Sequence, residues 1–301
     1  MRGGSSHQSP VSVHDSQVKR HIVCLTFDFD AISGFIARGQ TSPSWISRGE
    51  FGPRAGAPRL LALLKKYGIK STWFVPGHTI ETYPKACEAV LAAGHEIAHH
   101  GWTHRPPASL TRGEEEGELV RGNEAIRKLT GRAARGYRSP SWDLSPHSIG
   151  LFLKHGFLYD SSLMGDDYTP YYAREGDVIE LEKPAVFGRE TALVEMPIHW
   201  AADDAPHFEY VRTETTFRQG LMNASAVGEN WINDFLFMRD TVEWGVLTYT
   251  CHPYVIGRGA RMMMLERLIR TTADSGAVFL TMEEAAREFQ QRAGQPALAK
   301  A

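Results

Sequence analysis

Short apolar runs alternate with longer amphipathic segments along nearly the whole chain, and this alternation restricts the fold more than any other feature. The apolar runs fall at residues 22–30, 71–75, 96–100, 136–138, 158–161, 193–199, 245–252 and 277–281. Segments with helical spacing fall at 57–66, 83–93, 112–129, 146–155, 228–243, 260–274 and 282–292. A strand, a helix and a second strand in succession require parallel pairing with helices covering the sheet. About eight such strands in 301 residues predict an α/β fold, a distorted (β/α) barrel of about seven to eight parallel strands. No GxGxxG follows the first strand, so a dinucleotide fold has no support. Residues 21–293 read as a single domain, 1–20 as a disordered polar arm and 294–301 as a tail. Thr111 is placed to cap the helix at 112–129, with acidic Glu114, Glu115 and Glu116 in its first turn where the macrodipole favours them, and Gly156 to close the one at 146–155. Two long stretches, 33–56 and 164–189, read as irregular loops, and loops of that length are usually lids or binding loops.

Charge excludes two classes of partner. With 33 basic against 35 acidic residues the net charge is -2, so neither nucleic acid nor a membrane surface is an expected partner. No apolar run approaches the roughly 20 residues that span a bilayer. The start has no apolar core of a secretory signal, which predicts a cytoplasmic protein. Cys24, Cys87 and Cys251 do not make a disulfide framework and are expected as reduced thiols.

The polar residues that can do chemistry cluster at strand ends, where a (β/α) barrel carries its active site. Strand period two puts Asp28 and Asp30 on one face and Phe27 and Phe29 on the other. Two carboxylates that close repel unless a cation or a proton intervenes. His95 and His99 lie about 13 Å apart along a strand, too far for one ion. His100 and His104 straddle the strand exit; in a helical turn their imidazoles would share a face and grip one metal. Asp30, His100 and His104 then form a three-ligand set for Zn2+ or another divalent metal, with positions open to water and substrate. His252 is placed as a general acid, the competing reading being a capped core histidine. Asp160 and Glu195 are strand-associated acids; either would orient His252, or they belong to an ordinary buried pair. Cys251 points away from His252, which argues against a cysteine nucleophile. Arg138 can clamp a carboxylate with its planar fork. Trp142, Tyr168 and Tyr171, with Tyr172 and Trp200, read as an aromatic lid that contacts substrate. Two histidines and a carboxylate would also suit a non-haem iron oxygenase, but that chemistry has no role for Asp28.

Together these segments resemble the polysaccharide deacetylase (NodB-homology) family over about residues 20–290. The likeness lies in Thr26-Phe27-Asp28-Phe29-Asp30, His100-Gly101-Trp102-Thr103-His104, Arg138-Ser139-Pro140-Ser141, Tyr159-Asp160-Ser161-Ser162 and Thr250-Cys251-His252-Pro253. Ser47-Arg48-Gly49, Trp73-Phe74-Val75-Pro76-Gly77-His78 and Asp167-Tyr168-Thr169-Pro170-Tyr171-Tyr172 look like the signal-less branch, which holds peptidoglycan-deacetylase-like, cyclic imide hydrolase and allantoinase-like enzymes. The resemblance implies Asp28 as base, Asp30, His100 and His104 as metal ligands, His252 as acid and Arg138 as the tether of the base. Phe29 separates the two aspartates, and Ser141 stands where the family has tyrosine. The implied activity is hydrolysis of a non-peptide C–N bond, a metal-activated water attacking an amide or imide carbonyl. The expected substrate is small and cytoplasmic, a cyclic imide or an N-acetyl compound. The alternative is N-deacetylation of peptidoglycan or another glycan. By the same likeness the chain is expected to be a homo-oligomer, with tetramers common in that branch.

Overall fold

The computed structural model describes residues 19–213 and 216–294. The predicted polar arm and tail therefore lie almost wholly outside the described residues. The strands are β1 (Arg20–Asp28), β2 (Thr72–Val75), β3 (Glu96–His99), β4 (Gly136–Tyr137), β5 (Tyr159–Asp160), β6 (Tyr171–Glu175), β7 (Arg189–Glu195), β8 (Val211–Arg212), β9 (Phe217–Arg218), β10 (Trp244–Cys251) and β11 (Ala277–Phe279). Nine of them form one curled sheet in the order β10-β1-β2-β3-β4-β5-β7-β6, with β11 also paired to β1. All its pairings are parallel except β6 with β7. Eight parallel strands thus make the distorted barrel that the alternation predicts. The gap between β10 and the far edge is bridged by single contacts, Asp203 with Thr250 and the Val246 N–H with the Tyr168 carbonyl.

The helices are α1 (Ser33–Ala37), α2 (Pro43–Phe51), α3 (Ala57–Tyr67), α4 (Gly77–Thr82), α5 (Pro84–Ala92), α6 (Arg112–Thr130), α7 (Ser148–Lys154), α8 (Asp204–Phe208), α9 (Ala224–Thr241), α10 (Pro253–Ile256), α11 (Gly259–Asp274) and α12 (Met282–Ala293). The two faces of each strand feed separate cores. Phe27, Phe29, Trp73 and Leu247 pack outward with Leu60, Leu64, Trp231 and Leu265 of the helices. Ile22, Cys24, Phe74, Ala98 and Val246 fill the barrel, closed from one end by Met282, Ala285, Ala286 and Phe289 of α12. Period-two alternation in β1 is the cause, because every second side chain enters the barrel. Thr111 and Glu114 cap α6 reciprocally, and Thr281 with Glu284 does the same for α12.

Both stretches read as irregular are ordered. Residues 33–56 are α1, α2 and a single π-helical turn, Gly52–Gly56, that runs into α3. Gly56 there is a packing residue, since a Cβ would stand 2.0 Å from the Pro253 carbonyl oxygen. A residue that reads as a helix breaker in sequence here lets two backbones touch. Residues 164–189 contain β6 and the start of β7, an edge hairpin extended by a bridge between Val178 and Val186. None of the residues 164–189 lines the recess at the barrel mouth.

Candidate active site

Strand β1 ends at Asp28, and the next turn carries Asp30, so the two carboxylates reach the barrel mouth from consecutive elements. Arg138, wholly buried just after β4, donates from Nη1 to Asp28 Oδ1 at 2.8 Å and to the Thr26 hydroxyl at 2.8 Å. Its Nη2 donates to the Ser161 hydroxyl and its Nε to the Ser161 carbonyl, and the guanidinium lies over the Phe74 ring. A planar fork with this many fixed acceptors holds Asp28 in one orientation and offsets its charge.

His100 and His104 meet, but through a loop and not a helical turn. Gly101 at φ 69° and His104 at φ 61° both adopt left-handed backbone, folding the chain back after β3. The two rings meet edge to face, 4.9 Å between centroids and 78° between planes. His100 Nδ1 donates to the Arg138 carbonyl at 2.7 Å, which leaves Nε2 with its lone pair turned to the mouth. His100 Nε2 lies 3.4 Å from Asp30 Oδ1, and His104 Nε2 lies 3.3 Å from Asp30 Oδ2. Ligand atoms about 2.1 Å from a tetrahedral zinc stand roughly 3.4 Å from one another. Asp30 Oδ1 and His100 Nε2 are buried without a hydrogen-bond partner, which is costly unless a cation completes them. The residues therefore fit a divalent ion. Burial pushes the Asp30 carboxyl up, but the imidazoles of His104, His100 and His252 outweigh it and hold it well below the usual carboxylate range. Burial pushes His104 down to about 4, the neutral form that a metal ligand needs.

His252 follows β10, with Nε2 3.9 Å from Asp30 Oδ2. Its Nδ1 donates to Asp204 Oδ1 at 2.7 Å, and its backbone N–H donates to Asp204 Oδ2. Asp203 Oδ1 is 3.7 Å from the same ring nitrogen. Burial alone would push the His252 imidazole down; the carboxylates of Asp203 and Asp204 outweigh it and lift it well above its ordinary value. Burial in turn raises Asp203 to about 7. The expectation that Asp160 or Glu195 orients His252 is thus corrected: Asp204 does so. The Asp203–Asp204–His252 cluster is a second possible metal set by composition. A direct 2.7 Å contact between two of its members, however, leaves no room for an ion between them. Sequence reasoning missed Asp203 and Asp204 because they lie outside every segment with a strand or helix pattern. Asp203 is the cap of α8, accepting from the Ala205 N–H.

Asp160 and Glu195 face the outer side of the sheet. Asp160 Oδ1 accepts from the Ser162 hydroxyl, and Glu195 Oε1 accepts from the N–H groups of Ser162 and Leu163. They form the buried pair that was the competing reading.

Asp28, Asp30, His100, His104 and His252 share a recess of about 130 Å³ with Arg38, Ser141, Trp142, Trp200, Asp203, Glu209, Arg218 and Tyr254. Trp142 stacks on Trp200 at 4.1 Å to form one wall. Ser141 and Trp142 pay for this placement with consecutive left-handed conformations, φ 59° and 54°. Tyr168 and Tyr171 do not line the recess. Tyr168 packs in the outer core against Phe237, and the Tyr171 hydroxyl accepts from the Gly165 N–H. Both belong to the edge hairpin and its approach, and strand pairing turns them away from the mouth.

An open barrel end with a metal-ligand cluster, a tethered carboxylate and a carboxylate-backed histidine defines a hydrolase that works with a divalent metal. The family model for polysaccharide deacetylases matches residues 15–159. A peptidoglycan deacetylase of Helicobacter pylori is 38% identical over 288 residues, covering 91% of this chain and 98% of that one. A solved structure of a polysaccharide-deacetylase-type protein from Mycobacterium smegmatis is 30% identical, covers 98% of this chain and 99% of its own, and superposes with a TM-score of 0.80. A Puue allantoinase shares the fold at 22% identity and a TM-score of 0.76, covering 94% of each chain. The chain belongs to the polysaccharide deacetylase family, enzymes that hydrolyse amide carbon–nitrogen bonds with a divalent metal.

Proposed function

We propose that this enzyme cleaves the C–N bond of a small amide, a cyclic imide or an N-acetylated compound, with zinc held by Asp30, His100 and His104. The observation that carries the reading is the size of the recess. Its 130 Å³ is about four times a water molecule's share of liquid volume and well below the roughly 300 Å³ at which drug-sized pockets begin. It accepts an acyl or imide group at the reacting end of a substrate.

When bound, the ion polarises the carbonyl and lowers the pKa of water. Asp28 accepts the proton of the attacking water, its orientation and charge set by Arg138. His252 gives a proton from Nε2 to the departing nitrogen, while Asp204 stabilises the ring as a cation. The Trp142–Trp200 wall excludes water and orients the flat amide.

Glycan N-deacetylation is the second reading, favoured by the identity with the Helicobacter pylori relative along nearly its whole length. The test is a metal-reconstituted panel of succinimide, maleimide, dihydropyrimidines and allantoin against N-acetylglucosamine oligomers. Turnover of the oligomers alone would overturn the small-substrate reading. We place the enzyme in the cytoplasm, a reading supported by three buried free cysteines. We also infer a homo-oligomer, supported by the apolar Ile179, Leu181, Val186 and Phe187 exposed on the edge hairpin.

A further inference from the structure

Four acidic side chains line the recess, and each has a cationic partner. Asp28 pairs with Arg138 at 2.8 Å, Asp30 with the imidazoles of His100 and His104, and Asp203 with His252. Glu209 accepts from Arg218 at 2.9 Å and from the Tyr254 hydroxyl at 3.0 Å, with Arg48 at 3.8 Å. Arg38 is different. It is exposed at the end of α1, lies over the Phe35 ring at 5.2 Å and donates from Nε to the neutral Gln40 side chain at 3.3 Å. Among the described residues no carboxylate lies within ion-pair distance of it.

Arg38 and the ion site approach each other across Gly34. The point where a Cβ would stand on Gly34 is 3.5 Å from Arg38 Nη1, 3.5 Å from Asp30 Oδ2 and 3.8 Å from the His104 ring. The guanidinium therefore lies within about 7 Å of the ligand carboxylate. Arg38 also lines a larger trough of about 610 Å³ with Gln40, Glu209, Val211, Thr216 and Arg218. Recess and trough share Arg38, Glu209 and Arg218, so they adjoin at the guanidinium. A divalent ion would add two positive charges beside one ligand carboxylate. Among the described residues, the charges of Arg38 and the ion would then exceed those of the carboxylates beside them, Glu209 being already paired with Arg218.

We propose that Arg38 is a specificity-determining residue that receives a carboxylate on the substrate, so that the enzyme acts on small N-acyl compounds bearing an acidic group close to the scissile amide. This rests on the amide-hydrolase reading above and narrows it. Planar guanidinium and planar carboxylate match in two parallel hydrogen bonds, and Arg38, in contact with Phe35 and Gln40, lines both the recess and the trough. In the reaction the carbonyl carbon gains the hydroxyl of water, the C–N bond breaks, and the nitrogen takes the proton. Acetate and an amino acid leave, the latter with its own carboxylate still at Arg38.

The test compares N-acetylglycine with N-acetylethanolamine, and N-acetyl-β-alanine with N-acetyl-3-aminopropanol, pairs that differ in having a carboxylate or a neutral alcohol. Acetate release is followed for the zinc-loaded wild type, Arg38→Gln and Arg38→Lys. The expected result is at least tenfold higher kcat/KM for the acids in the wild type, carried by KM. Arg38→Gln lowers that acid-to-alcohol ratio tenfold or more, and Arg38→Lys falls between. Equal use of acid and alcohol by the wild type, or an equal loss on both in Arg38→Gln, overturns the proposal. If the wild type cleaves none of the four, the hydrolase reading fails for this substrate size. Calorimetric titration of N-acetyl-β-alanine then decides the subsite alone: binding weakened tenfold in Arg38→Gln supports it, and equal or absent binding overturns it.

Discussion

Glu195→Gln tests whether the buried pair behind β5 and β7 shares one proton. Asp160 Oδ2 and Glu195 Oε2 are both buried without a conventional partner, although their other oxygens are fully bonded. Two ionised carboxylates in that position would repel without screening. Burial, and then the Asp160 charge, push the Glu195 carboxyl well above its ordinary value, and burial pushes Asp160 to about 6. Glu195 therefore keeps the proton and donates it to Asp160. For an acid whose folded pKa is raised, the native chain holds more protons than the unfolded one, so stability is greatest at low pH and falls as pH rises. In the unfolded chain both acids ionise near pH 4. Above about pH 5 the retained Glu195 proton costs about 1.4 kcal/mol of stability per pH unit, until Glu195 itself titrates. Glutamine keeps the Oε1 acceptor for Ser162 and Leu163 and supplies a permanent N–H to Asp160. Its stability relative to the wild type should rise with pH by about 1.4 kcal/mol per unit over the range in which Glu195 keeps its proton. Denaturant unfolding followed by circular dichroism at half-unit pH steps measures the difference directly. A difference between variant and wild type that is flat with pH, or a variant less stable at pH 8, would refute the shared proton.

Asp204→Asn removes the charge at His252 Nδ1 and offers that nitrogen an amide N–H instead, because the other atom still serves the backbone; kcat should fall about a hundredfold or more, with far-UV circular dichroism unchanged. Arg138→Met leaves Asp28 as a buried unpaired charge and should cost about 3–5 kcal/mol in denaturant unfolding, most of it recovered in the double variant with Asp28→Asn. Chelation should abolish turnover, and zinc should restore it. Zinc should also raise Tm in the wild type, since an ion that binds only the folded chain stabilises it, and His104→Ala should remove that rise.

Much of this molecule is written in local patterns. The alternation of strand and helix signals establishes a parallel barrel, because a βαβ unit has few other ways to bury both apolar faces. Period two in β1 and β10 carries Asp28 and His252 to the mouth. What the sequence could not supply depends on contacts between distant segments. Gly56 reads as a breaker until Pro253 is known to press against it. The 33–56 and 164–189 stretches read as loops because their order comes from packing and edge pairing, not from propensity. Asp204 carries no signal in the sequence until β10 brings His252 to it from 48 positions away. Arg38 is one arginine among many until α1 folds it beside the ion site. Spacing along the chain determines which face a side chain takes; only closure of the barrel decides which other face it meets, because burial and pairing are properties of the packed whole.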